Sequence, residues 1–133
     1  MAGRPARRGR RGGGDAGGLR RLHRVNGGEA AMRSLLEREP GLDAVFAASD
    51  VMAAYALVEL RRQGRRVPDD VALIGFDDSV IARHSNPPLT SVRQPVEAIG
   101  RTMARILLTE IDDPGQPRQH VVLPTELVVR ESS

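Results

Sequence analysis

Apolar runs separated by charged turns set the pattern of this chain. The clearest run, Val71-Ala72-Leu73-Ile74-Gly75-Phe76, has no polar alternation and ends abruptly on Asp77-Asp78. An uninterrupted run of strand length suits a parallel strand covered on both faces, not one with a wet side. Upstream, Ala44-Val45-Phe46-Ala47 reads as a short buried strand. Ser49-Asp50, both good helix N-caps, follow it; Val51 to Gln63 then continue as a helix that Gly64 can stop. Strand, helix, strand is a βαβ unit, whose crossover is right-handed. The lengths agree, since a helix of ~13 residues at ~1.5 Å matches a six-residue strand at ~3.3 Å per residue. If the two strands pair, Ser49-Asp50 and Asp77-Asp78 lie side by side at one sheet edge. Ligands of open α/β sheets bind in the crevice beyond the carboxyl ends of the strands.

The remaining elements extend this unit. Glu29 to Arg38 puts Ala31, Met32, Leu35 and Leu36 on one helix face, and Pro40-Gly41 stops it. The Val51–Gln63 helix carries two apolar stripes, Ala53, Ala56, Leu57 and Leu60 on one and Val51, Ala54, Tyr55 and Val58 on the other. A surface helix needs only one, so the second implies a further covering surface, a neighbouring helix or a partner subunit. Ser79 to Thr90 reads as a loop containing Asn86-Pro87-Pro88, and Leu89 to Arg93 as a short extended segment. Pro95 suits the first position of a helix with Val96, Ile99, Met103 and Leu107 in a stripe out to Ile111. His120 to Leu123 and Glu126 to Val129 read as two short strands separated by Pro124. The fold class is α/β, a parallel sheet flanked by helices.

Composition narrows the chemistry. Length 133 leaves room for one domain or a piece of a larger one. With aromatics at 2%, the core must come from Val, Leu, Ile, Ala and Met. The absence of Cys removes disulfides, thiolate catalysis and Cys-ligated zinc. All twenty basic residues are Arg, which we read as coding bias. The net charge of +3 invites a nucleic-acid reading, but its distribution does not: residues 1–24 hold eight Arg against Asp15, and the remainder holds twelve Arg against sixteen acids. The body is mildly acidic. Residues 1–25 form an Arg/Gly-rich tail, expected to be disordered, and either an RNA-binding arm or the product of a misplaced start or shifted frame. No apolar run reaches the roughly 18 residues of a membrane span, and no signal peptide is evident, so a cytoplasmic protein without membrane contact is expected.

Candidate chemistry concentrates on the two carboxylates. Asp77, the first residue off the strand, suits ligand contact, because a carboxylate accepts two hydroxyl or N–H donors at once, as sugars or purines present them. Asp78 is split between ligand contact and capping a following turn. A phospho-acceptor aspartate would need a Lys, and the chain has none. His23, His84 and His120 have no metal spacing, and no Gly-x-Ser-x-Gly elbow, P-loop or dinucleotide fingerprint is present. Neither catalysis, a metal nor a cofactor is expected.

Four stretches in order carry a family resemblance. They are Val45 to Ala53, Val67-Pro68-Asp69-Asp70-Val71 into Gly75-Phe76-Asp77-Asp78, Pro87-Pro88-Leu89-Thr90-Ser91-Val92-Arg93-Gln94-Pro95, and Leu123 to Ser133. Together they resemble the C-terminal part of a LacI/GalR-family transcriptional regulator. In that family a helix-turn-helix headpiece binds operator DNA, and a two-lobed sensor domain, similar to periplasmic sugar-binding proteins, closes on a small effector. The resemblance implies that Ser49 and Asp77 face the effector cleft, with Asp50 beside them and Gln94 near the crossover between lobes. It also implies a homodimer face made by Val51, Ala54, Tyr55 and Val58 with the loop from Ile81 to Ser85.

The domain reading follows from that resemblance. Residues 26–133 form a partial sensor domain: 26–92 a βαβ core of the C-terminal lobe, 93–122 a crossover helix and strand, 123–133 a return strand. No headpiece and little of the N-terminal lobe is expected, so operator DNA would be reached only through a headpiece this chain does not carry. The apolar faces of the Pro95–Ile111 helix and the strand after it would then lack their usual cover. The expected function is sensing of a sugar-like effector. The rivals are a nucleic-acid-associated protein acting through the Arg tail and a piece of a solute-binding protein.

Overall fold

The computed structural model describes residues 27–133, so the expected disorder of residues 1–25 lies outside the described residues. Helix α1 (Gly27–Arg38) leads to strand β1 (Ala44–Phe46), helix α2 (Asp50–Arg62), strand β2 (Ala72–Phe76) and a short helix α3 (Val80–His84). Strand β3 (Thr90–Arg93), helix α4 (Val96–Asp112) and strand β4 (Glu126–Val128) complete the order. One sheet runs β1-β2-β3-β4. The first three strands are parallel, with Phe46 opposite Ile74 and Phe76 opposite Val92. The expected βαβ unit is present, and its two strands are neighbours.

Helix α2 shows how local sequence sets an element's limits. Ser49, in extended conformation, accepts a hydrogen bond from Met52 N at 3.2 Å and opens the helix. At the other end Gly64 takes φ +70°, Gly64 N donates to Arg61 O and Arg65 N to Leu60 O. That pair of bonds is the Schellman motif, which uses up carbonyls the helix would otherwise leave unpaired. Ala53, Ala56, Leu57 and Leu60 are buried and join Met32, Val71, Leu73, Ala82 and Leu89 in the core. Helix α1 packs on α2 and is pinned there by Arg33, which donates to both oxygens of buried Glu59 at 2.9 and 3.0 Å. With the Gln63 amide also donating at 2.9 Å, these bonds hold the Glu59 carboxyl down at about 2.

Three expectations are corrected. The sheet is mixed, because β4 returns antiparallel to β3, with Ser91 opposite Val128 and Arg93 opposite Glu126. His120–Leu123 forms no strand: it has no partner edge among the described residues, and unpaired backbone gains nothing from the extended ladder. The stretch read as a loop holds the five-residue α3, closed by Ser85 N donating to Ile81 O at 2.9 Å.

Helix α4 buries none of its residues. Val96, Met103, Leu107, Leu108 and Ile111 are 57–67% exposed, and Val122, Leu127 and Val129 are exposed as well. No helix among the described residues is long and apolar enough to cross a membrane.

Candidate functional site at the strand ends

The ends of β1 and β2 form one rim, as expected from their parallel pairing. Ala47 N donates to Ile74 O at 2.8 Å, continuing the ladder past β1, and Asp77 N donates to Val92 O at 2.8 Å, tying the tip of β2 to β3. Asp77 and Asp78 then turn the chain through left-handed conformations, φ 105° and 49°. Non-glycine residues seldom occupy this region, and Asp tolerates it better than most.

The turn is braced from beneath by Asp50. Its carboxylate is buried, accepts Ser79 N at 2.6 Å through Oδ2 and the Ser91 hydroxyl at 2.6 Å through Oδ1. Ser91 Oγ in turn accepts Asp78 N at 3.0 Å. Gly75 permits this, since a Cβ there would overlap Asp50 Oδ1. Asp50, expected beside the effector, therefore faces inward with both oxygens engaged, a correction that follows from its burial. It positions the turn instead of lining the rim.

Asp78 is also buried. Arg93 Nε donates to its Oδ2 at 2.7 Å, Arg130 Nη2 to its Oδ1, and Arg83 approaches from 3.5 Å. Burial by itself would push this carboxyl up, but the Arg130 and Arg93 bonds outweigh it and hold it below the usual carboxylate range. Of the two readings open for Asp78, neither matches: it is the anchor that ties β2, β3 and the return strand together.

Asp77 differs from its neighbour in being exposed. Its Oδ1 accepts Gln94 Nε2 at 2.7 Å, and its other oxygen has no partner among the described residues. The structure thus brings two of the expected site residues into contact. Ser49 stands at the adjoining strand end, half-buried, its oxygen accepting the α2 cap bond and its proton still free to donate. The residues of the expected dimer face are partly exposed. Val51, Val58 and Ile81 are 43, 38 and 42% exposed, Ala54, Tyr55 and Ser85 half-buried. Among the described residues no cluster of three or more His, Asp or Glu stands ready for a metal.

Sequence reasoning missed Ser91, Arg93, Arg130 and Ser132. Ser132 is buried, donates to Leu73 O, and accepts Thr90 N at 2.8 Å, holding the chain end against β2 and β3. All four stand inside the stretches that carried the family resemblance. Their partners lie 13 to 59 residues away in sequence, so no local spacing identifies them.

A family profile for periplasmic binding protein-like domains matches residues 4–133, a span that takes in nearly all of the Arg/Gly-rich stretch. The regulator CelR of Thermobifida fusca is 56% identical over 105 residues, 79% of this chain and 31% of the regulator. The ribose operon repressor of Halalkalibacterium halodurans is 36% identical over 109 residues, 82% of this chain and 33% of the repressor. Among solved structures, a transcriptional regulator CelR–cellobiose complex superposes with a TM-score of 0.79 at 53% identity, covering 84% of this chain and 34% of that one. The lac repressor dimer bound to operator and the anti-inducer ONPF superposes with a TM-score of 0.72 at 26% identity, covering 82% and 38%. The chain spans about a third of the length of these regulators.

Proposed function

The chain belongs to the periplasmic binding protein-like domain family, as the C-terminal part of a LacI/GalR-type sensor domain, and from that premise we propose that it senses a sugar effector through its strand-end rim. The effector's hydroxyls donate to the Asp77 carboxylate, with Gln94 and Ser49 completing the polar wall. In the whole protein, occupancy of this rim shifts a homodimer between states with different affinity for operator DNA, and the protein works in the cytoplasm. Val51, Ala54, Tyr55, Val58, Ile81 and Ser85 make the dimer face.

One observation carries this reading: at the rim, Asp78 and Asp50 are consumed by internal partners, whereas the Asp77 carboxylate is exposed with one oxygen open among the described residues. The cellobiose complex of a similar chain supports a glucoside as the first probe. Titrating the complete protein with cellobiose by calorimetry tests it. Asp77→Gly, which suits the positive φ, is expected to weaken binding by at least about tenfold, since a hydrogen bond to a charged group is worth roughly 1.5–3 kcal/mol. Unchanged affinity in that variant would remove Asp77 from the site and the reading with it.

A further inference from the structure

We propose that Arg130, 53 residues along the chain from Asp77, is a positioning residue for the rim: through Asp78 it holds the strained turn that aims the Asp77 carboxylate. That the aimed group meets a ligand rests on the reading above; that Arg130 holds the turn does not.

The turn sets two consecutive non-glycine residues, Asp77 and Asp78, at φ 105° and 49°. Each conformation crowds a Cβ and persists only where the surroundings over-determine it. Stability alone does not call for an aspartate at 77. Its side chain is exposed and its one bond among the described residues goes to Gln94, so a glycine would make the same bend with less crowding. What the pair achieves is presentation. Across a single peptide one carboxylate points into the protein and the next points out, so the outer one is aimed only as firmly as the inner one is held.

The inner carboxylate receives arginines from three places: Arg83 on α3, Arg93 on β3, and Arg130 just after β4. They are not equivalent. The side chains of Arg83 and Arg93 are 54 and 47% exposed, and both reach Oδ2. Arg130 is 17% exposed and gives Oδ1 its only donor among the described residues. Its fork is fixed from the other side as well, since Nη1 donates to Leu89 O at 2.7 Å and its own N donates to Thr90 Oγ1 at 2.8 Å. A planar guanidinium held this way supplies a direction as well as a charge. Without it, a buried carboxylate oxygen is left bare, and Asp78 gains by rotating toward water. That rotation carries the shared peptide, and Asp77 with it. The turn's amides report on such a change, because all three are tied down: Asp77 N to Val92 O at 2.8 Å, Asp78 N to Ser91 Oγ at 3.0 Å and Ser79 N to Asp50 Oδ2 at 2.6 Å.

Two measurements on the complete protein test this. Without ligand, Arg130→Gln is expected to speed hydrogen–deuterium exchange of the Asp77–Ser79 amides by at least about fivefold, while the α2 amides from Ala56 to Leu60 stay unchanged. Arg130→Lys, which keeps the charge and loses the fork, should show a smaller change in the same direction and guards against a variant that does not fold. Unaltered exchange at the turn in both variants overturns the proposal. With cellobiose, Arg130→Gln is expected to bind about five- to tenfold more weakly, and the Asp77→Gly, Arg130→Gln double variant no more weakly than Asp77→Gly alone, because both act through one carboxylate. Ser132→Ala separates positioning from stability: it removes a buried clamp on the same chain end without touching Asp78, so its urea midpoint should fall while its affinity stays within about twofold. Equal weakening by Ser132→Ala, or full affinity in Arg130→Gln where Asp77→Gly has lost it, overturns the positioning role and leaves the effector reading intact. Unchanged affinity in Asp77→Gly overturns the effector reading and, with it, any aim toward a ligand.

Discussion

At the scale of single residues, the rim separates carboxylates by what surrounds them. Three aspartates cluster at the strand ends; two are sealed in by donors and only Asp77 is presented outward. Their substitutions should therefore behave differently. Asp50→Ala strands a half-buried N–H and a buried hydroxyl, and about 3 kcal/mol of stability should vanish in urea unfolding. Gly75→Ala forces a methyl against Asp50 Oδ1 and should cost roughly 1–3 kcal/mol in the same assay. Asp77→Gly, at an exposed position, should leave the urea midpoint nearly unchanged while altering ligand binding. Which aspartate would be outward was only half legible. Asp77, the first residue off the strand, does lie outward, whereas Asp50, which the family resemblance places beside the effector, turns inward. Its inward turn depends on Ser91, 41 residues further along.

Elements were easier to read than contacts. Helix α2, its Ser49 cap, the Gly64 stop and the parallel partner strand follow from signals within a few residues of each boundary. Gly64→Ala should lower stability by about 1 kcal/mol, as measured by thermal unfolding, because φ +70° crowds a Cβ. Acid sensitivity also belongs at this scale, since the ion pairs join elements. Glu59 is held at about 2 by its bonds to Arg33 and Gln63, and Asp78 is held below the usual range by Arg130 and Arg93. Both are depressed in the folded chain, so their contribution is complete above the unfolded values of ~4.3 and ~3.9 and is lost as pH falls below them. Urea midpoints should be flat from pH 7 to about 5 and then drop. Glu59→Gln should make that drop shallower. A return strand antiparallel to β3 and the missing strand at His120–Leu123 were not legible. An apolar stretch declares its preference for extension; its partner edge is decided elsewhere.

For the molecule as a whole, two apolar surfaces stand out among the described residues. One is the α2–α3 stripe, small and flanked by half-buried residues; Val58→Asp should abolish self-association detected by sedimentation if this stripe joins two copies. The other runs along α4 and the Val122–Val129 segment. Replacing both Met103 and Leu107 with Ser should change unfolding stability by less than about 0.5 kcal/mol, since neither is buried, while reducing binding of a hydrophobic dye. The two stripes on α2 were visible in the sequence because a helix repeats its faces every few residues, and periodicity needs no knowledge of the partner. By itself the sequence determined the longer helices, the parallel βαβ unit and the rim where its strands end, because these rest on local periodicity, caps and turn residues. Only the tertiary structure decided which carboxylate faces solvent, which arginines answer Asp78, and that Gln94 reaches Asp77. Those choices are pairings between distant parts of the chain, and their geometry exists only once the sheet has brought them together.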